Sequence, residues 1–292
     1  MGERQIMENY AEGRERRLET GQSLERLNFE DVPNSGIPVP MNRLQYEQWR
    51  AKNMNESPGN LTGYDCPECR NKGFTYTTDG DGHIIVRPCK CQAIRRSLQY
   101  MKASGLAELL KRCTFDTWQT TERWQGAALD KAKQYAENPV GWLAVCGKSG
   151  TGKTHLCTAV CGRLMERGVE VRYMLWRDAA TRLKTNAMDD ISAYNSEIEP
   201  LKRVQCLYID DLFKVGNRQK PTVMDINLAF EIINARYIDG KLITVISSEL
   251  SLDEIMDLDE ATGSRIYERT KPNRNYFNFS GYGNWRTGGQ DG

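Results

Sequence analysis

The sequence predicts an α/β fold, with a parallel sheet flanked by helices and a small cysteine-rich module ahead of it. Short apolar runs alternate with segments of helical periodicity between residues 113 and 283. A glycine-rich loop at 147–154 joins one apolar run to an apolar helix, and two close pairs of cysteines lie between residues 66 and 91. Strands that alternate with helices need right-handed crossovers, so the predicted sheet is parallel and covered on both faces.

The composition excludes several classes of protein. The 292 residues carry 40 basic and 39 acidic side chains, so the net charge of +1 gives no argument for a nucleic-acid partner. No stretch of about 18 apolar residues is present, and the charged N-terminus (1–30) lacks the apolar core of a secretory signal. We therefore expect a protein that is neither exported nor in a membrane, in which clustered cysteines bind metal rather than form disulfides.

The predicted domain organisation follows shifts in composition along the chain. The segments are 1–60, polar and charged; 61–92, rich in Gly, Pro and Cys; 93–112, a linker helix; 113–286, the α/β core; and 287–292, a short tail. The first segment is either a partly disordered tail or a helical docking element, because Tyr46, Trp49 and nearby leucines supply an apolar face.

The strands and helices of the core are assigned from apolar periodicity. The predicted strands are Trp142–Cys146, Val169–Leu175, Gln205–Ile209, Leu242–Ser247 and Asn275–Phe279. The predicted helices are Lys153–Arg167, Arg177–Lys184, Val223–Asp239 and Leu252–Met256.

The glycine-rich loop predicts a site for the phosphates of ATP. Its residues match the pattern GxxxxGK[ST], with a strand before it and a helix after it. Backbone N–H groups of such a loop curl around polyphosphate, and the helix N-terminus adds its dipole. The predicted ATP-binding residues are Gly147, Lys148, Ser149, Gly150, Thr151, Gly152, Lys153, Thr154 and His155. Lys153 would reach the β- and γ-phosphates, and the Thr154 hydroxyl would bind Mg²⁺.

Acidic residues at the ends of two other strands complete the predicted nucleotide site. Asp210 follows an apolar run and would hold Mg²⁺, while Asp211 would orient or activate the attacking water. The alternative is that the two aspartates merely open a loop. Ser248 and Glu249 end the next strand, where a polar residue can sense hydrolysis; a plain surface carboxylate is the alternative for Glu249, since like charges repel.

Arg265 and Arg269 are four residues apart and so share one face of a predicted helix. Arginine bridges phosphate oxygens well, so this pair predicts a finger that acts on the nucleotide of a neighbouring subunit. A solvated basic face is the alternative reading.

Two basic regions are candidates for contact with single-stranded DNA. Arg177, Arg182 and Lys184 lie on the helix after the second core strand, where a solvated helix face is an equal alternative. Basic and aromatic residues also alternate in the last 30 residues, a combination suited to phosphate contact and base stacking. We nevertheless expect Tyr276, Phe277 and Phe279 to belong to a core strand.

The two cysteine pairs predict a structural zinc site. Four thiolates, from Cys66, Cys69, Cys89 and Cys91, can close a tetrahedral shell, and a loop-rich segment of this size lacks a core of its own. His83 lies between the pairs and is the alternative fourth ligand. The other five cysteines are predicted to be small core residues.

Taken together, these motifs resemble the bacterial and phage helicase loaders of the DnaC/DnaI type, a branch of the AAA+ ATPases. The stretches that carry the resemblance are Cys113–Trp118, Gly147–Thr154, Arg177–Lys184, Leu201–Leu212, Ile246–Glu254, Gly263–Arg269 and Asn275–Arg286. The cysteine cluster resembles the zinc-bearing N-terminal module of some members. Glu249 stands where the family often has asparagine.

The resemblance implies an AAA+ core without a helical lid and an ATPase that is weak when isolated. It further implies an N-terminal module that grips a hexameric DnaB-type helicase, a core that binds ATP, Mg²⁺ and single-stranded DNA, and ATP-dependent self-association in a ring or spiral. The expected location is the bacterial cytoplasm. Two alternatives are an IstB-type transposition helper ATPase and a non-catalytic adaptor switched by nucleotide.

Overall fold

The structure is a computed structural model that describes residues 42–103, 107–216 and 220–284. Residues 1–41 of the predicted docking segment, Trp285 and Arg286 of the basic and aromatic C-terminus, and the predicted tail 287–292 lie outside the described residues. The described residues fall into two compact units. The smaller contains 42–51 and 78–84, and the larger contains the remainder.

The smaller unit holds the start of helix α1 (Arg43–Glu56) and the turn that joins strands β1 (Phe74–Thr78) and β2 (Ile84–Pro88). The helix begins with a reciprocal cap, because the side chains of Asn42 and Gln45 each accept a hydrogen bond from the other residue's backbone N–H, at 2.8 and 2.9 Å respectively.

The larger unit is built on a five-stranded sheet. Its strands are β3 (Leu143–Cys146), β4 (Val171–Leu175), β5 (Cys206–Asp210), β6 (Ile243–Ser248) and β7 (Tyr276–Asn278). Their spatial order is β4-β5-β6-β3-β7, and all neighbours are parallel. Each strand lies within one residue of its predicted range or inside it. The predicted fold class is therefore confirmed.

Helices cover both faces of the sheet. They are α2 (Cys91–Ala103), α3 (Ala107–Arg112), α4 (Arg123–Glu137), α5 (Lys153–Glu166), α6 (Trp176–Asp189), α7 (Ile191–Arg203), α8 (Val223–Asp239), α9 (Leu252–Leu258) and α10 (Glu260–Thr270). The bounds of α8 match the prediction, because Thr222 caps its start and Gly240 ends it in the left-handed conformation. The predicted linker helix 93–112 corresponds to α2 and α3, and α4 and α7 were not predicted.

Alternate residues of each strand enter two separate hydrophobic cores. On β3, Leu143 and Val145 pack with α4 and α5, whereas Ala144 packs with the residues of α6, α7 and α8 on the other face. Both faces of the sheet are thus buried, as expected for parallel strands joined by helical crossovers.

The strand register brings the predicted site residues to one edge of the sheet. Cys146, which precedes the glycine-rich loop, pairs with Ser248 at the end of β6. Asp210 ends β5, where the preceding Ile209 pairs with Ile246 of β6. The carboxyl ends of three adjacent strands therefore meet, and this edge is where ligands bind in open α/β sheets.

Candidate functional site

The glycine-rich loop turns sharply from β3 into α5. Gly152 has φ +90° and directly precedes the helix, and a Cβ built there would come within 2.9 Å of the Trp118 ring. Gly150 has φ +81°, and a Cβ there would overlap the Asn284 side chain. Left-handed backbone and close neighbours both require glycine at these two positions.

A cavity of about 430 Å³ lies beside the loop, and both basic and acidic side chains line it. Lys153 Nζ donates to the Lys148 carbonyl at 2.9 Å and is only 5% exposed. Burial lowers the pKa of Lys153, an effect that the nearby carboxylates Asp211 and Glu249 partly oppose. A buried ammonium that forms no ion pair with a carboxylate of the described residues is suited to receive an anionic ligand such as a polyphosphate.

Asp210 is the most extensively hydrogen-bonded carboxylate of the site. Its Oδ1 accepts from Thr154 Oγ1 at 3.1 Å, from the Tyr208 hydroxyl at 2.7 Å and from Ser247 Oγ, and its Oδ2 accepts from the Tyr173 hydroxyl at 2.8 Å. The Thr154 hydroxyl and the Asp210 carboxylate lie side by side, and both are oxygen ligands of the kind that Mg²⁺ prefers. These residues therefore fit a magnesium site.

Asp211 projects from a strained turn beside this carboxylate. It has φ +57° although it is not glycine, and its N–H donates to Ser247 Oγ at 2.9 Å. Lys214 Nζ contacts Asp211 Oδ2 at 3.0 Å and Glu249 Oε1 at 2.8 Å. Burial lowers the pKa of Lys214, but the hydrogen bonds to these two carboxylates outweigh it and raise that pKa.

Of the two serines that end β6, Ser247 rather than the predicted Ser248 contacts the acidic pair. Ser248 is buried and donates to the Leu212 carbonyl at 2.8 Å, so it fixes the turn after β5 instead. Sequence reasoning missed Ser247 and Lys214. The sequence places both serines at the end of β6 and carries no signal that separates Ser247 from Ser248.

His155 positions the segment that precedes α4. Its Nε2 lies 2.9 Å from the Thr114 carbonyl and 3.3 Å from Thr117 Oγ1, and its ring packs edge-on against Trp118 at 5.4 Å between centroids. The short contact to a carbonyl implies that Nε2 carries the proton. His155 thus joins residues 114–118 to the start of α5 while it lines the cavity.

The two predicted finger arginines lie on α10 and have partners within the chain. Arg265 donates to Asn234 Oδ1 at 3.0 Å and to the Ala261 carbonyl at 2.7 Å. Arg269 donates to the Gly240 carbonyl and lies 5.7 Å from the Trp142 ring, at the amino end of β3. That edge is opposite to the glycine-rich loop, so Arg269 does not reach the nucleotide cavity of its own chain.

The three basic residues predicted to contact DNA differ in their surroundings. Arg182 pairs with Glu197 at 2.9 Å, and Lys184 pairs at 2.6 Å with Asp225, which is 1% exposed. Arg177 is exposed at the start of α6 and packs against Gly216. Two of the three charges are thus already balanced by carboxylates.

The four clustered cysteines form a compact, buried group. Sulfur–sulfur distances are 3.8 Å for Cys66 and Cys89 and 3.5 Å for Cys69 and Cys91, and all four sulfurs lie within 4.8 Å of one another. Zn–S bonds of about 2.3 Å in a tetrahedron place sulfurs about 3.8 Å apart, so the group fits Zn²⁺. The other candidate ligand, His83, is exposed and pairs with Asp79 at 3.2 Å.

Hydrogen bonds support the thiolate form at one of these cysteines. Burial raises the pKa of Cys69, but the Gly73 N–H, 3.3 Å from its sulfur, and the neighbouring thiols outweigh this effect and lower the pKa to about 7. Burial raises the pKa of Cys89, which therefore needs a cation to ionise. Of the five cysteines outside the group, four are buried and Cys113 is half-buried.

Helix α2 connects the cysteine group to the edge of the sheet. It begins at Cys91, and its Ser97 Oγ accepts the N–H of Val171 at 2.9 Å. Arg96 pairs with Glu170 at 2.8 Å. The edge strand β4 is thus covered by a helix that starts at a cysteine of the group.

The fold and the site together define a P-loop ATPase of the AAA+ class. The chain belongs to the family described as IstB-like ATP binding protein, whose model matches residues 82–269.

Among the described residues, none of the helices is long and apolar enough to cross a bilayer.

The relatives include a protein of a phage-like element and a bacterial helicase loader. The phage-like element PBSX protein XkdC of Bacillus subtilis (strain 168) is 30% identical over 216 residues, which are 70% of this chain and 79% of that protein. The replicative helicase loader DnaC of Escherichia coli (strain K12) is 32% identical over 112 residues, 37% of this chain and 46% of that protein. The match thus spans less than half of DnaC.

Solved structures also resemble the chain. A crystal structure of the DnaC helicase loader has 22% identity and a TM-score of 0.49, covering 58% of this chain and 97% of that one. The crystal structure of DnaI has 17% identity and a TM-score of 0.46, covering 59% and 89%.

Proposed function

We propose that the chain loads a hexameric DnaB-type replicative helicase onto single-stranded DNA in an ATP-dependent step of DNA replication. The segment 1–60 and the cysteine module 61–92 bind the helicase, and the core 113–286 binds ATP, Mg²⁺ and single-stranded DNA. Such a protein works in the bacterial cytoplasm. The relative named as a replicative helicase loader supports this role.

The observation that carries the proposal is the attachment of the cysteine module to the ATPase core. A module whose only role was to bind zinc would not need to be attached to the sheet. Here α2 starts at Cys91 and covers β4, whose Tyr173 hydrogen-bonds Asp210. A partner bound to the module is therefore connected through packed elements to the carboxylate of the nucleotide site.

In the proposed mechanism, each side chain of the nucleotide site has one task. The loop N–H groups and Lys153 would bind the phosphates, Thr154 and Asp210 would hold Mg²⁺, and Asp211 would orient the attacking water. Bound Mg²⁺ would neutralise phosphate charge. The four cysteines would hold Zn²⁺ and so stabilise the module.

Hydrolysis also needs a positive charge beside the transferred phosphate, and self-association in a ring or spiral supplies it from an arginine of the neighbouring protomer. Arg265 lies on the half-buried face of α10 and acts as the finger on the neighbouring protomer's nucleotide. Arg269 stabilises the junction of α8, α10 and β3 through Gly240 and Trp142. Arg177 is the strongest of the three candidates for DNA contact, because Arg182 and Lys184 are held by carboxylates.

The alternative is an IstB-type transposition helper ATPase that assists a transposase on duplex DNA; the matching family is described as IstB-like ATP binding protein. The two functions differ in partner and in the form of DNA they use. Binding to a hexameric helicase, with preference for single strands, distinguishes the loader.

The test uses the full chain with a DnaB-type helicase and circular single-stranded DNA. Co-purification of the two proteins, and helicase loaded on the circle only with ATP, is the expected result. Lys153→Ala should keep the complex and lose ATP-dependent loading, whereas Cys66→Ser/Cys69→Ser should lose the complex. Absence of any complex with the helicase, with or without ATP, contradicts the proposal, and stimulation of ATP turnover by duplex DNA alone favours the alternative.

A further inference from the structure

Lys214 occupies an unusual position between two carboxylates of the nucleotide site. Its Nζ lies 3.0 Å from Asp211 Oδ2 and 2.8 Å from Glu249 Oε1. All three side chains line the same cavity as Lys153 and Thr154. Lys214 therefore forms ion pairs with two carboxylates of one cavity, which distinguishes it from a lysine in a single surface ion pair.

The charge balance of the cavity provides the first step. Asp211 and Glu249 line the cavity that must receive a polyphosphate, and the buried Asp210 lies beside it, bonded to Thr154. Lys153 alone offsets only one of these three carboxylates. Glu249 and a bound phosphate repel each other, because both carry negative charge. Lys214 pairs with Glu249, so the carboxylate that is unsuited to phosphate contact becomes part of a neutral ion pair.

The backbone holds Lys214 in place for this contact. Asp211 and Phe213 both have positive φ, +57° and +64°, and the Lys214 N–H closes the turn on the Asp211 carbonyl at 2.9 Å. Phe213 is 3% exposed and packs against Trp176 at 5.5 Å between ring centroids. Strained non-glycine conformations anchored by a buried ring are characteristic of functional turns.

The ammonium group has donor capacity beyond the two carboxylates. Lysine carries three N–H donors, and Asp211 and Glu249 take two of them. The side chain of Lys214 is 38% exposed, so it can reach a ligand in the cavity without leaving Glu249.

We propose that Lys214 contacts the γ-phosphate of bound ATP, guided by its ion pair with Glu249. Lys214 holds Asp211 in the structure; when ATP binds, the γ-phosphate takes the place of Asp211 on the ammonium. Asp211 is then released to orient water, so the site becomes competent only when a γ-phosphate is present. The inference rests on the assignment of this cavity to ATP and is independent of the helicase and DNA partners.

The decisive measurement is the ratio of affinities for AMPPCP and ADP, each with Mg²⁺, on the full chain. Lys214→Met should weaken AMPPCP binding by about tenfold or more, the loss expected for a charge-assisted hydrogen bond, while ADP binding stays nearly constant. Lys214→Arg should retain part of the preference for AMPPCP. Lys241, an exposed lysine just after α8, supplies the matched control, and Lys241→Met should change neither affinity.

A double variant separates phosphate contact from simple charge balance. If Lys214 only neutralises Glu249, then Lys214→Met/Glu249→Gln restores AMPPCP affinity and overturns the proposal. We expect no restoration. Equal losses for both nucleotides in Lys214→Met, or no loss for either, also contradict it; retained ADP binding shows that the variant is folded. A failure of helicase loading would leave these affinities unchanged.

Discussion

At the scale of single residues, the nucleotide site depends on side chains that hold other side chains. Asp210 accepts hydrogen bonds from four hydroxyl groups, of which the two tyrosines come from inside the sheet. Such supporting hydrogen bonds fix the orientation of a metal-binding carboxylate, and their loss reduces metal affinity or activity. The tyrosines are buried, so each also contributes to stability.

Removal of one of these hydroxyls is the first prediction. Tyr173→Phe should lower ATP turnover and reduce the free energy of unfolding by about 1.5–3 kcal/mol, the range for a buried hydrogen bond to a charged group. Tyr194→Phe removes a hydroxyl bonded to Glu231 on the half-exposed surface of α7 and is the control. Urea unfolding and steady-state ATPase assays measure both; equal behaviour of the two variants would contradict the supporting role of Tyr173.

A second prediction concerns the buried carboxylate of Asp225. Burial raises its pKa, but hydrogen bonds from Lys184 and Thr222 outweigh burial, so the pKa is lowered in the folded state. The unfolded chain therefore binds more protons in acid, and stability is lost as pH falls from about 5 through the usual aspartate range near 4. Above that range the contribution is fully present.

Thermal melts from pH 7 to pH 3 measure this effect. The wild type should lose more stability across this interval than Asp225→Asn, which cannot take up the proton. Asp257→Asn, on the exposed side of α9, should follow the wild-type slope. Parallel curves for wild type and Asp225→Asn would show that the Lys184 pair does not stabilise the fold, and would leave Lys184 available for DNA.

The limits of sequence reasoning are clear at this scale. The GxxxxGK[ST] pattern located the loop because its chemistry depends on local order alone. Lys214 could not be predicted, since its contacts require positive φ at Asp211 and Phe213, and neither is glycine. The choice between Ser247 and Ser248 depends on which face of β6 each occupies, and the sequence does not reveal that where the strand ends.

At the scale of elements, the edge strand β4 is protected by α2. Ser97 of α2 is buried, accepts the Val171 N–H at 2.9 Å and donates to the Ala93 carbonyl at 2.8 Å. An edge strand otherwise presents unpaired N–H groups, which favour association with other chains. The helix thereby both covers the edge and orients the cysteine group at its start.

Loss of this hydroxyl is the third prediction. Ser97→Ala leaves the buried Val171 N–H without its acceptor and should cost about 1–3 kcal/mol of unfolding free energy. Ser196→Ala removes an exposed helical serine that also donates to a backbone carbonyl, and it should cost far less. Urea titrations of both variants measure the change in unfolding free energy. A small, equal effect would mean that α2 is attached mainly by its apolar contacts and the Arg96 ion pair.

Element prediction from sequence worked where the apolar pattern was strong and failed where small or polar residues replaced it. Helix α8 has clear capping residues at both ends, and its bounds were predicted. Helix α4 buries Ala128, Ala132 and Ala136, whose small side chains give little periodic signal. Helix α7 contains Pro200, which favours a break, although Arg236 satisfies carbonyls near its end.

At the scale of the molecule, the larger unit joins the four-cysteine group to an α/β core that is buried on both faces of its sheet. The hydrophobic cluster of the four-cysteine group consists of the cysteines and Tyr64, whereas the sheet has extensive hydrophobic cores on both faces. A group this small cannot offset its own chain entropy without a crosslink. The two parts should therefore differ in what stabilises them, and metal removal should affect them unequally.

The fourth prediction follows from that difference. Purified chain should contain one Zn²⁺. Either Cys69→Ser or strong chelation should remove the metal and unfold the cysteine module, while nucleotide binding by the core is retained. Cys113→Ser changes a half-buried cysteine outside the group and should keep the metal. Metal analysis, proteolysis between residues 61 and 92, and ADP binding measure the three effects. Loss of ADP binding along with the metal would mean that the sheet depends on α2 being anchored at Cys91. Retention of metal by Cys69→Ser would mean that the four thiols are not the ligand set.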